Sequence, residues 1–236
     1  MNGFSGPPQD GQQLAAALAE IPLFRVLGED GVRSALRAGL ARRYRSGQII
    51  FHQGDPGESL YAMLDGLVKV VFTTEHGDEI VLNMLSRGDT FGEMALLDGS
   101  PRSASIVTVR PSWVFALPRA RLLELMREHP ALADEFLHML GHLVRRLTGQ
   151  AADLAFLDLG GRLAKLLLEL AGKHGRADAV VDLPGLTQSD LAALIGATRP
   201  AVNRALQSLV SRGLIAIEGR TITLLDVAAL RRRGGL

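Results

Sequence analysis

Residues 91–105 read FGEMALLDGSPRSAS, with an acid, Glu93, ahead of a base, Arg102, and glycines and small hydroxyl residues around both. Phe91 closes a strand-like run, GEMALL is long enough for about one helical turn, and DGSPRSAS leads into another strand. A helix start presents backbone N–H groups that attract anions. Arg102 adds a planar, permanently charged donor fork suited to phosphate, and Ser103 adds a hydroxyl donor. Glu93 is a poor phosphate contact but a good acceptor for a sugar hydroxyl, so the set suits a ribose phosphate better than a bare anion. Spacing alone leaves a second possibility equally open: Glu93 and Arg102 pair with each other across an ordinary turn, as a surface bridge worth at most about 1 kcal/mol.

On either side of this stretch the chain is a series of short segments, QIIFHQ, SLYAML, LVKVVFTT and EIVLNML before it, SIVTV and WVFAL after it. They are rich in Val, Ile and aromatics and are separated by turn signals at SG, GDPG, DG, HGD and RGD. That is the pattern of a sandwich or barrel of short antiparallel strands. Gly47, Gly54, Gly57, Gly66, Gly77 and Gly88 are expected to supply positive-φ turn positions. Upstream of Tyr44 the period is helical, with Leu14, Leu18, Leu23 and Leu27 followed by Val32, Leu36 and Leu40.

Helical patterning returns at Arg119 and continues from about Ala131 to Leu159. There Phe136, Leu140, Leu143, Leu147, Gln150, Leu154 and Leu157 alternate at spacings of four and three, a heptad seam with one polar member. Such a seam packs on its own domain or pairs with a second copy, and its length favours the second. The helical pattern stops and restarts at Gly160. Beyond it, TQSDLAALIGATRPAVNRALQSLV reads as two helices joined at Gly196, followed by the hairpin-like GLIAIEGRTITLL and a last helix from near Asp226. Thr187 is placed to cap the first helix with Asp190 three positions on, and Pro200 sits in the first turn of the second, where its missing N–H costs nothing. Leu191, Ala192, Ile195, Val202 and Leu206 are expected to line the angle between them. The layout is a helix-turn-helix, whose second helix enters the DNA major groove. Arg199 and Arg204 on its exposed side suit guanine edges, and Arg220 at the hairpin tip suits phosphate. Thr187, Ser189, Thr198, Ala201 and Asn203 complete the expected DNA face.

Charge is divided in the same way. Residues 1–159 hold 15 Lys+Arg against 19 Asp+Glu, a balance of −4, and residues 160–236 hold 11 against 6, a balance of +5. Only the back half is therefore expected to meet a polyanion. With no cysteine among 236 residues, disulfides and thiolate-held clusters or haem are excluded. No secretory pattern opens the chain and no apolar run approaches the roughly 20 residues that span a bilayer, so a soluble cytoplasmic protein with no membrane partner is expected. His138 and His142 share a helix face at spacing four, but no acidic or Cys third ligand is evident, and no metal is predicted. An enzyme would need a nucleophile constellation, a metal cluster or a Walker-type loop; the sequence offers none of these, so an enzyme is disfavoured.

FGEMALLDGSPRSAS resembles the phosphate-binding cassette of the cyclic-AMP receptor protein family, which includes the fumarate–nitrate regulator relatives. The likeness extends through GDPGESLYAMLDG, the long helix, LAFLDLGGRLAKLLLELA and the helix-turn-helix with its wing. It implies an α+β chain with an N-terminal antiparallel β-roll (jelly-roll) that binds cyclic nucleotide at 12–130, a central dimerisation helix at 131–159 and a C-terminal winged helix-turn-helix at 160–236. The implied function is a homodimeric transcription regulator, controlled by cyclic AMP, acting on a palindromic operator in double-stranded DNA and working with RNA polymerase. By position, Gly92, Glu93 and Met94 match the cassette's glycine, ribose-binding acid and backbone phosphate contact, and Arg102 and Ser103 match its phosphate ligands.

Two positions depart from the family pattern. The places that present hydroxyls to adenine fall on Leu147 and Thr148, of which only Thr148 keeps one. Cyclic GMP, a cyclic dinucleotide, a haem-borne gas and constitutive DNA binding are the alternatives. On the reading helix the acid that would accept from cytosine is replaced by Pro200, which predicts relaxed choice at that base while Arg199 and Arg204 still read guanine.

Overall fold

The computed structural model describes residues 11–173, 180–182, 187–219 and 221–236, and the chain divides into two units, Met1–Leu143 and Val144–Leu236. The first opens with helices α1 (Gly11–Ala19), α2 (Pro22–Arg25) and α3 (Gly28–Ala38). Strands β1 (Leu40–Tyr44), β2 (Ile49–Phe51), β3 (Ser59–Thr73), β4 (Glu79–Ser86) and β5 (Thr90–Phe91) follow, then α4 (Met94–Asp98), β6 (Ser105–Pro118), α5 (Arg119–Glu128) and the long α6 (Pro130–Phe156). Leu18, Leu23, Leu27 and Val32 are buried as the helical spacing requires. Leu40 differs: it is exposed and starts β1.

The sheet is antiparallel, in the order β1-β6-β3-β4, with β2 also on β6 and β5 on β3. Its centre is the long pair β3 and β6, in register at Leu60↔Leu117 and Val70↔Ile106. Two breaks between segments, one of them at the DG turn signal, are bridged here. SLYAML and LVKVVFTT are one strand, and so are SIVTV and WVFAL. The register shifts around Gly66, opposite Pro111 and Ser112, so that the irregularities of the two strands face each other. Gly66 takes φ 106°, and a Cβ there would collide with the Ser112 side chain and backbone. The fully buried Ser112 hydroxyl donates to the Arg110 carbonyl at 2.8 Å and accepts from the Leu67 N–H at 3.1 Å. A buried hydroxyl that replaces missing ladder bonds lets both strands bend without orphaned backbone groups. Gly57 also departs from expectation. Its role is close approach, since a Cβ would overlap that of Ala95, and the positive-φ positions are Gly47, Gly54, Gly66, Gly77 and Gly88.

Two cores hold this unit. Leu18, Phe24, Leu60, Phe115, Leu117, Leu122, Leu125, Leu132 and Phe136 pack the helices against one face of the sheet, with Phe24 edge-on to Phe115 at 6.0 Å. Met63, Val68, Leu85, Phe91, Ile106 and Val114 form the other, inside the roll. Burying side chains of this size contributes about 1.5–3 kcal/mol each.

In the second unit α6 ends at Phe156 and α7 (Leu159–Lys173) begins. The break lies at Leu157 and Asp158, ahead of Gly160, because the Asp158 carboxylate accepts the Gly161 N–H at 2.7 Å and so starts a new helix. Arg233 bonds the same carboxylate at 3.1 Å. Strand β7 (Val180–Asp182) is followed by α8 (Gln188–Leu194), α9 (Arg199–Ser211), β8 (Ile215–Glu218), β9 (Thr221–Leu224) and α10 (Val227–Arg233). β8 and β9 form the expected hairpin; β7, unforeseen in the sequence, adds to β9. The Thr187 hydroxyl accepts the Asp190 N–H at 3.1 Å and the Asp190 carboxylate accepts the Thr187 N–H at 2.9 Å, a complete capping box. Gly196 turns at φ 62°, Pro200 lies in the first turn of α9, and Leu191, Ala192, Ile195, Val202 and Leu206 are all buried.

Candidate ligand pocket and nucleic-acid interface

The cassette is built on backbone ties. The Arg102 N–H donates to the Asp55 carbonyl at 2.8 Å and the Gly54 N–H to the Arg102 carbonyl at 2.9 Å, so the GDPG turn grips the segment that leads into β6. From the other side, Arg119 Nε donates to the Leu96 carbonyl at 2.8 Å and fixes the short α4. Asp98 accepts the Ser100 N–H at 2.9 Å, which holds its carboxyl below the usual carboxylate range, and Gly99 closes the helix in the left-handed region at φ 72°.

Arg102 is only 4% exposed. Its Nη1 donates to the Gly92 carbonyl at 2.7 Å and its Nη2 to the Ser59 carbonyl at 2.8 Å. The guanidinium lies over the Phe51 ring, 4.3 Å from its centroid, and 5.4 Å from that of Tyr61. Tyr61 in turn stacks on Phe91 at 5.2 Å and 7°, and Phe51 touches both rings. Cation–π contact of this kind contributes about 0.5–2 kcal/mol, more as water is excluded. Burial lowers the Arg102 pKa, opposed by Tyr61, Glu93 and Asp55, yet the guanidinium stays charged throughout the physiological range. Burial also pushes the Tyr61 phenol up, with Arg102 pulling the other way.

Gly92 is required at its position. It takes φ 84°, and a Cβ would come within 2.6 Å of Arg102 Nη1. Glu93 is half-buried and acts electrostatically on Arg102, while Met94 and Ser103 face outward with the Ser103 hydroxyl 3.6 Å from the Met94 sulfur. Glu93 and Arg102 are thus neighbours, but Arg102 spends its two terminal nitrogens on carbonyls rather than on a surface bridge. Arg102 Nε is buried and meets no acceptor among the described residues. A buried donor left in this state costs about 1–3 kcal/mol. A charged guanidinium with an unspent donor, beside a glycine that admits close approach, suits the exocyclic oxygens of a cyclic phosphate, and the residues present therefore fit that group. The aromatic bed of Phe51, Tyr61 and Phe91 has little signal in the sequence beyond an aromatic in each of the strands β2, β3 and β5.

Leu147 and Thr148 lie on α6, both exposed, and the Thr148 hydroxyl bonds back to the Val144 carbonyl at 3.0 Å. The seam also needs correction. Phe136 is 4% exposed and belongs to the core, while Val144, outside the seam as read, is 61% exposed. The exposed large apolar residues of α6 are Leu137, Val144, Leu147, Leu154 and Phe156; Leu147 and Leu154 belong to the seam as read, while Leu137 and Val144 add a seven-residue step one position after Phe136 and Leu143.

On the helix-turn-helix, Ser189, Thr198, Arg199, Asn203 and Arg204 are exposed, Ala201 is partly so, and Thr187 serves as the cap. Asn203 Nδ2 donates to Gln188 Oε1 at 3.3 Å, a link between α8 and α9 with no sequence signal. Arg220 lies outside the described residues. Among the described residues no group of three or more His, Cys, Asp or Glu side chains is gathered for a metal ion, and no helix is long and apolar enough to cross a membrane.

Residues 41–129 match the family described as Cyclic nucleotide-binding domain, and residues 161–233 match the Crp-like helix-turn-helix domain. The chain is 33% identical over 210 residues to the CRP-like cAMP-activated global transcriptional regulator of Mycobacterium tuberculosis (strain ATCC 25618 / H37Rv), covering 86% of this chain and 94% of the relative. Among solved structures, the Catabolite Activator Protein of Thermus thermophilus is 33% identical with a TM-score of 0.52, covering 91% of this chain and 98% of that one. The c-di-GMP responsive global regulator CLP of Xanthomonas campestris is 27% identical with a TM-score of 0.67, covering 83% and 98%. A nucleotide-pocket domain joined to a helix-turn-helix, with relatives alike over nearly their whole length, leaves one conclusion: the chain belongs to the cyclic-AMP receptor protein and fumarate–nitrate regulator family of transcription regulators.

Proposed function

We propose that the protein is a homodimer whose β-roll binds cyclic AMP and whose affinity for a palindromic operator depends on that binding. The observation that carries the ligand is Arg102, a buried guanidinium beside Gly92 with Nε unspent. In the proposed complex Arg102 and Ser103 hold the phosphate, with the Met94 N–H, and Glu93 accepts from the ribose. Leu147 and Thr148 meet the base. The exposed apolar stripe on α6 supports the dimer, since its repeat is that of a coiled-coil seam. Nucleotide binding then shifts the dimer toward a DNA-competent arrangement, a population shift as large as the difference in nucleotide affinity between the two states. Arg199 and Arg204 read guanine in each half-site, and the protein works in the cytoplasm with RNA polymerase.

A second ligand class has a specific observation behind it. Leu147 offers no hydroxyl to a base, and a relative of similar architecture is named as responsive to c-di-GMP. Calorimetry of the purified protein with cyclic AMP, cyclic GMP and cyclic di-GMP side by side separates the two. Cyclic AMP titrated into a labelled-operator assay then tests the switch: the proposal requires operator affinity to rise with nucleotide, and an unchanged affinity at saturation overturns it.

A further inference from the structure

We propose that Asn203, positioned by Gln188, reads adenine in each half-site and thereby replaces the base recognition lost with the acid at Pro200. The inference rests on the DNA-binding reading of α9 and adds to it a base that neither arginine can specify. Thr187 and Asp190 lock the first turn of α8 through their reciprocal bonds, which fixes where Gln188 starts. Buried Val202 and Leu206 fix the rotation of α9 about its axis. Between these two fixed points Asn203 Nδ2 meets Gln188 Oε1 at 3.3 Å. Asn203 is exposed, one turn after exposed Arg199 and beside exposed Arg204, in the N-terminal part of the helix that approaches base edges.

The amide inventory selects the base. A primary amide has two N–H donors and a carbonyl with two lone pairs. One bond to Gln188 leaves an N–H and an oxygen lone pair available, whichever way the two amides are turned. That pair complements the N7 acceptor and N6 donor of adenine in the major groove, and it is the wrong pattern for guanine, whose edge offers two acceptors. Arg199 and Arg204 only donate, and the Pro200 side chain has no polar atom, so Asn203 is the one residue of 199–204 carrying both functions on its side chain. Gln188 makes no base contact in this scheme; it narrows the rotamers of Asn203 and is a positioning residue.

The test is selection from a pool of duplexes with a randomised palindrome, by the full chain with saturating cyclic AMP and without nucleotide, followed by competition binding on single-base variants. The wild-type chain should retain guanines and one adenine per half-site. Asn203→Ala should lose about tenfold discrimination at the adenine while the guanine preferences persist. Asn203→Asp, an acceptor without a donor, should move that preference to cytosine. Gln188→Leu should weaken the adenine preference with an unchanged melting temperature, and Gln207→Ala, exposed further along the helix, should leave it intact. An adenine preference that survives in both Asn203 variants, or a uniform loss across all sequences, overturns the assignment. If the wild-type chain selects no sequence under either condition, the operator reading fails and the assignment fails with it.

Discussion

The two anion-recognising regions of this chain use arginine in opposite ways. In the cassette Arg102 is buried, tied to two carbonyls and laid on aromatic rings. On α9, Arg199 and Arg204 stand in solvent. The difference follows from the size of the partner. A small ligand makes few contacts, so each must be strong, pre-oriented and shielded from water, where charge–charge attraction is greatest. A duplex presents many phosphates at once, and flexible surface charges find them at low desolvation cost, with affinity that falls as salt rises.

That contrast can be broken experimentally, most severely at Arg102. Arg102→Leu should reduce cyclic-nucleotide affinity about 30-fold or more by calorimetry, since truncating a buried, hydrogen-bonded charge costs about 2–5 kcal/mol. Arg102→Lys should rescue little, because an ammonium cannot span the Gly92 and Ser59 carbonyls and stack on Phe51. Gly92→Ala should lower stability by about 1–3 kcal/mol, from the positive φ together with the approach to Arg102 Nη1; thermal unfolding reads it directly. Arg204→Ala should weaken operator binding by about 1–3 kcal/mol and leave the nucleotide isotherm at its wild-type value. The same loss of nucleotide affinity in both arginine variants would erase the distinction between the regions.

The smallest effect is in the pH dependence. Burial raises the Tyr61 phenol above the usual tyrosine range, so the folded state holds this proton longer than the unfolded chain. Its contribution to stability is complete below the ordinary tyrosine pKa and is lost as pH rises through the elevated one. An ultraviolet titration should show a late phenol ionisation that disappears in Tyr61→Phe.

Much of the second unit was legible in the sequence because its determinants are local. A capping box, a glycine at the turn, a proline in a first turn and five apolar positions specify two helices within 24 residues, 187–210. The cassette was legible as a set of residue types, but the two carbonyls to which Arg102 donates were not. Those carbonyls are backbone groups, invisible to residue identity. Long-range pairing hid the rest. Asp65 and Gly66 form a good turn dipeptide, yet β6 pairs on both sides of it and turns it into a bulge. Phe136 was placed in the heptad seam because it fits the same repeat as Leu140 and Leu143, and only the core of the first unit claims it. Gly57 was misassigned for the same reason: its partner, Ala95, lies far along the chain.

Gly66 and Ser112 also constrain how this sequence can change over time. A Cβ at Gly66 would come within 2.5 Å of the Ser112 Cα, an atom every residue carries, so no substitution at 112 makes room for it, and a residue without a hydroxyl at Ser112 strands the groups it bonds. Each position is therefore expected to resist substitution on its own account, and a change at one gives no release at the other.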